Sequence, residues 1–455
     1  MAAFRGRLTS GRWLRKILAA PMHWRTLSAL GLWLLVVGSA WTHVDAQRAG
    51  TFRGSIDDPA IRYSTTPNLN NAVVDANKKI QDGALRFEFD ERSGFLRSAL
   101  EALGIPVDSQ LLVFSRASLQ GKRISDQNPR ALFFNDRVAL GWVRGGDVLE
   151  VAAHDESAGV VFYTLEQRAE LASGTPQFKR AFECLGCHVT GNTLGVPGLL
   201  MFSTTRPEPT QFSGIPRHID HSDPFSQRFG GWFVTGSTGS ARHMGNDVAA
   251  VDARPSRELT SVEGLFDSGG YRAFSSDIVA HMVLTHQAGM TNVLTRASWE
   301  ARAMDPALHP LFTPDPGMDE RIASVMSSVA SEVVDYLLFV DEAKLTDRVR
   351  GTSGFAERFS SSGPRDRKGR SLHELDLNQR LMKYPCSYLI YSPAFDALPL
   401  LAKVPIYKRL WEVLSGEAQE PRYRAALSLA DRQAIVEILK DTKKDLPPYF
   451  QNVTR

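Results

Sequence analysis

Residues 131–152 read ALFFNDRVALGWVRGGDVLEVA, and this stretch decides the fold class that the sequence predicts. Three short apolar runs alternate with two polar turns, an Asn-Asp pair at 135–136 and a Gly-Gly pair at 145–146. Short apolar runs bounded by such turn residues predict β-hairpins. Similar runs at Leu111–Phe114 and Val160–Leu165 extend the pattern at a spacing of about ten residues, which is typical of an antiparallel meander.

Outside this block the pattern favours helices. Apolar residues recur every three or four positions in two long segments, one from Ile278 to Met290 and one from Ile322 to Val340. Ser275 or Ser276 is the expected N-cap of the first of these helices. Shorter helices are predicted at Phe95–Leu103, at 407–414, and at 429–439 with Ser428 as the cap, whereas the polar residues 47–82 are expected to form an extended lead-in.

The strongest candidate for a functional motif is Cys184-Leu185-Gly186-Cys187-His188, which contains two of the three cysteines of the chain. Two thiols separated by two residues can add to the two vinyl groups of one haem, and the adjacent imidazole can then bind the iron. Cys184 and Cys187 are therefore the predicted covalent attachment points of haem c, and His188 is the predicted proximal iron ligand. A second C-x-x-C-H does not occur in the sequence, so one haem is expected.

Two other interpretations of this motif stay open at the level of sequence. A thioredoxin-like redox pair would require C-x-x-C at a strand-to-helix junction within a βαβ unit, and the preceding residues do not have that pattern. Half of a zinc site would require a second ligand pair at matching spacing. Cys386 is isolated, and His218 and His221 are too closely spaced to provide the usual histidine pair.

The N-terminus favours export. Residues 1–46 contain six basic residues, then an apolar run from Leu27 to Trp41, and end with Val44-Asp45-Ala46, which suits cleavage by signal peptidase. An uncleaved anchor is the alternative, because residues 26–44 are uncharged and just long enough to span a bilayer. Either way the body of the chain is expected to be exported and periplasmic, soluble or tethered through its N-terminus.

The basicity of the chain resides in this leader. Removing it changes the count from 53 basic and 50 acidic residues to 47 and 49, a net charge of −2. Such a balance does not indicate a nucleic-acid-binding surface. The expected fold class is α+β, with a β-rich region at 47–170, a loop-rich cytochrome c-type haem region at 171–300 and a mainly helical region at 301–455.

The sixth iron ligand determines what a haem does, since methionine or histidine closes the iron for electron transfer and an open position permits ligand chemistry. Met244 is the predicted distal ligand, with His243 and His286 as alternatives. Trp232 and Phe233 are candidates to pack on the macrocycle, and three arginines are candidates to pair with the haem propionates: Arg217, Arg228 and Arg242. Asp220, His221 and Asp223 form a polar cluster or, less readily, a metal site.

Several blocks of the sequence resemble one family. The motif at Cys184–His188, the segment Gly230–Gly236 and the segment Arg242–Asn246 are similar to large exported bacterial proteins with a single cytochrome c domain, as are 131–136 and 384–392. The resemblance implies covalent haem at Cys184 and Cys187 and ligation by His188, and it implies no substrate.

The predicted function is single-electron transfer by a c-type cytochrome in the periplasm. Redox proteins are the expected partners, for example a dehydrogenase that the long flanking regions would dock, or another cytochrome. The alternative is a haem enzyme or sensor with an open distal site for peroxide or a small gas. The sequence alone does not decide whether the protein is an enzyme.

Overall fold

A seven-stranded antiparallel sheet is the centre of the computed structural model, which describes residues 50–204, 216–247, 258–309, 316–451 and 453. The strand order is β6-β5-β4-β3-β2-β1-β9, and β7 and β8 pair separately. The described strands are β1 Leu111–Val113, β2 Arg130–Phe134, β3 Val138–Trp142, β4 Val148–Asp155, β5 Gly159–Glu166, β6 Lys179–Arg180, β7 Phe202–Thr204, β8 Pro216–His218 and β9 Trp232–Phe233.

The predicted meander is confirmed. Strands β1 to β5 follow one another in sequence and in space, and β4 and β5 form the longest ladder, from Val148 opposite Glu166 to Asp155 opposite Gly159. The tight turn between them depends on Gly159, whose φ of 78° lies in the left-handed region that glycine adopts readily. The Asp155 carboxylate accepts hydrogen bonds from the backbone N–H groups of Ser157 and Ala158 and so fixes the turn.

The two faces of the sheet have different partners. Along β4, buried and half-buried residues alternate, as expected when successive side chains point to opposite faces. The fully buried set, which includes Leu149, Val151 and Ala153, packs with Val73 and Leu96 of two N-terminal helices. The other face is covered at one end by a long helix and at the other end by the C-x-x-C-H segment.

The helices confirm the α+β fold class. Those described are α1 Ala72–Gln81, α2 Leu96–Ala102, α3 Leu185–His188, α4 Ile278–Ala303, α5 Met318–Leu337, α6 Phe355–Ser361, α7 Pro393–Asp396, α8 Leu400–Ser415, α9 Pro421–Ala426 and α10 Leu429–Thr442. Those after residue 300 pack around the C-terminal half of the chain in one apolar core. The predicted β-rich, haem-motif and helical regions all belong to one compact unit, Thr51–Arg455.

Two local predictions were wrong. The N-cap of α4 is Asp277, whose carboxylate accepts from the N–H groups of Val279 and Ala280, whereas Ser276 donates to the carbonyl of Phe233. The lead-in expected to be extended contains α1, capped by Asn71.

Helix α4 positions the rest of the second face. Its first turn is held to the segment after β9, because Ile278 N–H donates to the carbonyl of Thr235 at 2.9 Å. Further along, Gln287 donates to the carbonyl of Asn135, beyond the end of β2, and Thr295 contacts Gly159 at the start of β5. The helix therefore crosses the sheet from the β9 edge to β5.

The predicted signal peptide or anchor, residues 1–46, lies outside the described residues. Within the described ranges, no helix is both long enough and apolar enough to cross a bilayer.

Candidate functional site

The C-x-x-C-H motif lies on the second face of the sheet, directly after the edge strand β6. A short 3-10 turn, Phe182–Cys184, leads into α3, so both cysteines and the histidine fall within about one and a half helical turns. Ala181 anchors the start of the motif by donating to the carbonyl of Phe162 at 2.9 Å. Cys184 is half-buried against a small cluster formed by Val160, Phe162 and Ala181, and Cys187 is exposed.

His188 is held in one orientation by two contacts. Its Nδ1 lies 2.8 Å from the carbonyl oxygen of Gly198, and its ring lies 4.6 Å from the ring of Phe162 on β5. A carbonyl oxygen can only accept, so Nδ1 carries the proton and Nε2 carries the lone pair. The structure assigns Nε2 no hydrogen-bond partner among the described residues. Burial lowers the pKa of His188, which keeps the imidazole neutral.

The carbonyl of Gly198 is itself fixed by a strap, residues 189–198, that returns to the motif. Gly198 N–H donates to the carbonyl of His188 at 3.0 Å, which closes the strap. Asn292 of α4 holds the next residue, since its Oδ1 accepts from Leu199 N–H at 2.7 Å and its Nδ2 donates to the Leu199 carbonyl at 2.8 Å. A Cβ at Gly198 would overlap the Asn292 amide, so glycine is required there.

These residues fit a covalently attached haem. Both thiols are free, Cys187 is open to solvent, and the imidazole is neutral with Nε2 available for a metal. Metal-binding histidines usually donate the other ring N–H to a backbone carbonyl or carboxylate, which fixes the tautomer and raises the basicity of the ligand. Gly198 would have that role if His188 bound a metal. Once attached, the haem would supply an iron centre that exchanges one electron.

The structure does not bring Met244 to His188. Met244 N–H donates to the carbonyl of Arg228, and its sulfur lies 3.7 Å from the hydroxyl of Ser203. The adjoining residue Asn246 is bonded to the carbonyl of Trp232 in β9. His188 packs on β5, whereas Met244 lies beside Ser203 of β7, five residues along the chain from Gly198.

The alternative distal ligands also lie elsewhere. His286 is fully buried on α4, with Nδ1 2.9 Å from Nδ1 of His221 and Nε2 2.7 Å from the hydroxyl of Ser387. His243 is buried beside Phe229, and burial lowers its pKa to about 4. The identity of the distal ligand stays a prediction.

The other predicted site residues pack into the protein. Trp232 donates its indole N–H to the carbonyl of Phe202, and Phe233 stacks against two phenylalanines, Phe114 and Phe266. Arg217 pairs with Asp223, and Arg228 is buried with its guanidinium on the carbonyls of His221 and Asp223.

The remaining metal-site and thiol predictions have separate outcomes. Cys386 is buried and free, and burial raises the pKa of its thiol. Across the ranges that the structure describes, no three His, Cys, Asp or Glu side chains are grouped to hold a metal ion.

Three residues around the motif escaped the sequence analysis. Gly198 and Asn292 act through backbone and amide geometry, which no motif encodes, although Asn292 is a polar residue within an apolar helical stretch. Arg130 begins a strand 54 positions before Cys184, and only the strand order brings it near the motif.

Comparison with protein-family models, with curated proteins and with solved structures finds no match to this chain. The resemblance to large monohaem cytochrome c-domain proteins therefore stays a prediction.

Proposed function

We propose that this protein is an exported c-type cytochrome with one haem attached through Cys184 and Cys187, that His188 is the proximal ligand, and that the protein transfers single electrons. The observation that carries the proposal is the orientation of His188. Its Nδ1–H is committed to Gly198 while Nε2 has no assigned partner, next to two free thiols at haem spacing. A donor or acceptor of single electrons in the periplasm, such as a dehydrogenase or another cytochrome, is the class of partner that this chemistry requires.

A thioredoxin-like role has less support from the local structure. Burial, with Glu183 as the next contribution, raises the pKa of the Cys184 thiol to about 11. Reactive cysteines in redox motifs have lowered pKa values, because the thiolate is the nucleophile. The motif also follows an edge strand of an antiparallel sheet and not a strand of a βαβ unit.

The test is covalent haem content. The full chain would be expressed together with a haem-attachment system in an exporting host, purified, denatured and assayed as the pyridine haemochrome. We expect one haem per chain that stays bound through denaturation. Cys184→Ser with Cys187→Ser should abolish it, and Cys386→Ser is the matched control that should retain it. A wild-type chain without covalent haem would refute the proposal.

A haem enzyme or sensor with an open distal position is the second candidate. The observation that favours it is that all three candidate distal ligands have other contacts: Met244 with Ser203, His286 with His221 and Ser387, and His243 with Phe229. Carbon monoxide separates the two candidates, because it binds readily to reduced iron only when the sixth position is open or weakly held. If the site is open, wild type and Met244→Ala should bind carbon monoxide equally. A methionine–iron charge-transfer band in wild type that disappears in Met244→Ala would instead support the closed site.

A further inference from the structure

The sheet face beneath the motif contains one buried ion pair. Arg130, at the start of β2, pairs with Glu150 on β4, and their side chains are 17% and 12% exposed. The Arg130 guanidinium lies across Gly141 of the intervening strand β3, where a Cβ would overlap it. A glycine at this position is therefore what allows the arginine to cross the sheet.

The pair is held by further polar groups. The Glu150 carboxylate accepts from the hydroxyl of Ser118 at 3.2 Å and from the amide of Gln120 at 3.1 Å. The Arg130 Nε is buried and has no partner within the described residues. One donor of a buried guanidinium is therefore uncommitted, on the same face as the motif.

The pair is close enough to affect the motif. Glu150 precedes Ala152 by two positions on β4, and Ala152 and Cys184 pack against the same small cluster of buried residues, Val160, Phe162 and Ala181. Both members of the pair act on the Cys184 thiol, because Arg130 lowers its pKa and Glu150 raises it. Buried charges interact through a low-dielectric medium, so the effect of each is larger than it would be at the surface.

We propose that Arg130 and Glu150 are positioning residues that set the electrostatic potential at the motif, with each charge offsetting the other. The inference rests on the proposed function for its redox consequence, but its effect on the Cys184 thiol does not require haem. Removing Glu150 leaves an uncompensated positive charge, which favours the reduced iron and the thiolate. Removing Arg130 leaves a negative charge, which favours the oxidised iron and the protonated thiol.

Two measurements test the pair on three variants: Glu150→Gln, Arg130→Gln and the double variant. The first measurement is the reduction midpoint of the haem-loaded protein. We expect it to rise in Glu150→Gln, to fall in Arg130→Gln and to return near the wild-type value in the double variant. A residue that merely supported the fold would shift both single variants in the same direction.

The second measurement is the rate at which iodoacetamide alkylates Cys184 in the full chain produced without haem, in a Cys187→Ser background. Cys386 is buried, so Cys184 is the accessible thiol of that background. The rate should rise about tenfold in Glu150→Gln and fall about tenfold in Arg130→Gln, since one pKa unit changes the thiolate fraction tenfold.

Arg130→Lys keeps the charge and should behave like wild type in both measurements, which controls for loss of folding. Equal or same-direction shifts in the two single variants would overturn the proposal. If the chain carries no covalent haem, the proposed function fails while the alkylation rates still decide the role of the pair.

Discussion

Acid should destabilise this protein through its buried histidines, and His221 allows the size of the effect to be worked out. The side chain lies in the core between α4 and α5, packed against Tyr336 and hydrogen-bonded to His286. Burial is the main cause that lowers the pKa of His221 from 6.5 to about 4. The folded protein therefore holds this imidazole neutral at pH values where the unfolded chain is protonated.

The sign follows from proton binding. Below pH 6.5 the unfolded chain binds more protons at His221 than the folded chain does, so the free energy of unfolding falls as the pH falls. The loss begins near pH 6.5 and is complete below pH 4. The lowering of the pKa from 6.5 to about 4 corresponds to roughly 3 kcal/mol, of which about 2 kcal/mol is lost by pH 5.

The perturbation is His221→Asn, which cannot titrate but keeps a hydrogen-bond acceptor for His286. Urea unfolding followed by tryptophan fluorescence at pH 7.5 and pH 5.0 gives the free energy for each protein. Wild type should lose about 2 kcal/mol more than the variant over this interval. Equal losses in wild type and His221→Asn would refute the reasoning.

Three further substitutions test the packing that supports the site. Phe162→Ala should lower the free energy of unfolding by about 3 kcal/mol in urea titrations and should loosen His188, because it empties a buried site against the imidazole ring. Asp277→Ala should lower the free energy of unfolding by about 3 kcal/mol in thermal or urea unfolding. The reason is that one buried carboxylate both caps α4 and accepts three hydrogen bonds from Thr352 and Ser353, and Asp277→Asn should lower the free energy less. Gly289→Ala should destabilise despite the better helix propensity of alanine, because its Cβ would overlap the hydroxyl and the ring of Tyr336. In a double-mutant cycle Gly289→Ala should cost less free energy of unfolding in a Tyr336→Ala background than in wild type, and equal costs would contradict the close contact.

The parts of the fold that the sequence predicts correctly depend on local signals. The hairpins of the meander follow from turn residues between apolar runs, and α10 begins at Ser428 with the expected cap. The failures have non-local causes. Strand β9 has two residues and exists because Trp232 and Phe233 pair with β1, more than 110 positions away, and no pattern within two residues encodes such pairing.

The cap of α4 illustrates a different limit. Ser276 and Asp277 are both good N-cap residues by type, so sequence alone could not choose between them. Tertiary contacts determine which of the two residues caps the helix. Ser276 is engaged by Leu112 and Phe233 of the sheet, and the Asp277 carboxylate is then free to cap the helix with one oxygen and to bind Thr352 and Ser353 with the other.

For the site, the sequence supplies the reactive groups and the fold supplies their orientation. Cys184, Cys187 and His188 are readable as a motif, but the tautomer of His188 depends on Gly198, which is placed by Asn292 on a helix a hundred positions later. For the predicted distal ligand Met244 the fold adds only its neighbours, the carbonyl of Arg228 and the hydroxyl of Ser203, and its role stays a prediction.

The elements that pack on the second face of the sheet also hold the motif in a fixed position. Helix α4 covers the β9 end and is pinned to the β5 end through Thr295, while Asn292 on the same helix holds the strap that orients His188. The imidazole is therefore fixed between a sheet residue, Phe162, and a backbone carbonyl tied to a long buried helix. In the proposed cytochrome, a ligand held so rigidly would change position little when the charge of the iron changes, which would keep the reorganisation that accompanies single-electron transfer small. Cys187 lies on the exposed side of the motif, which is the side that a redox partner would reach.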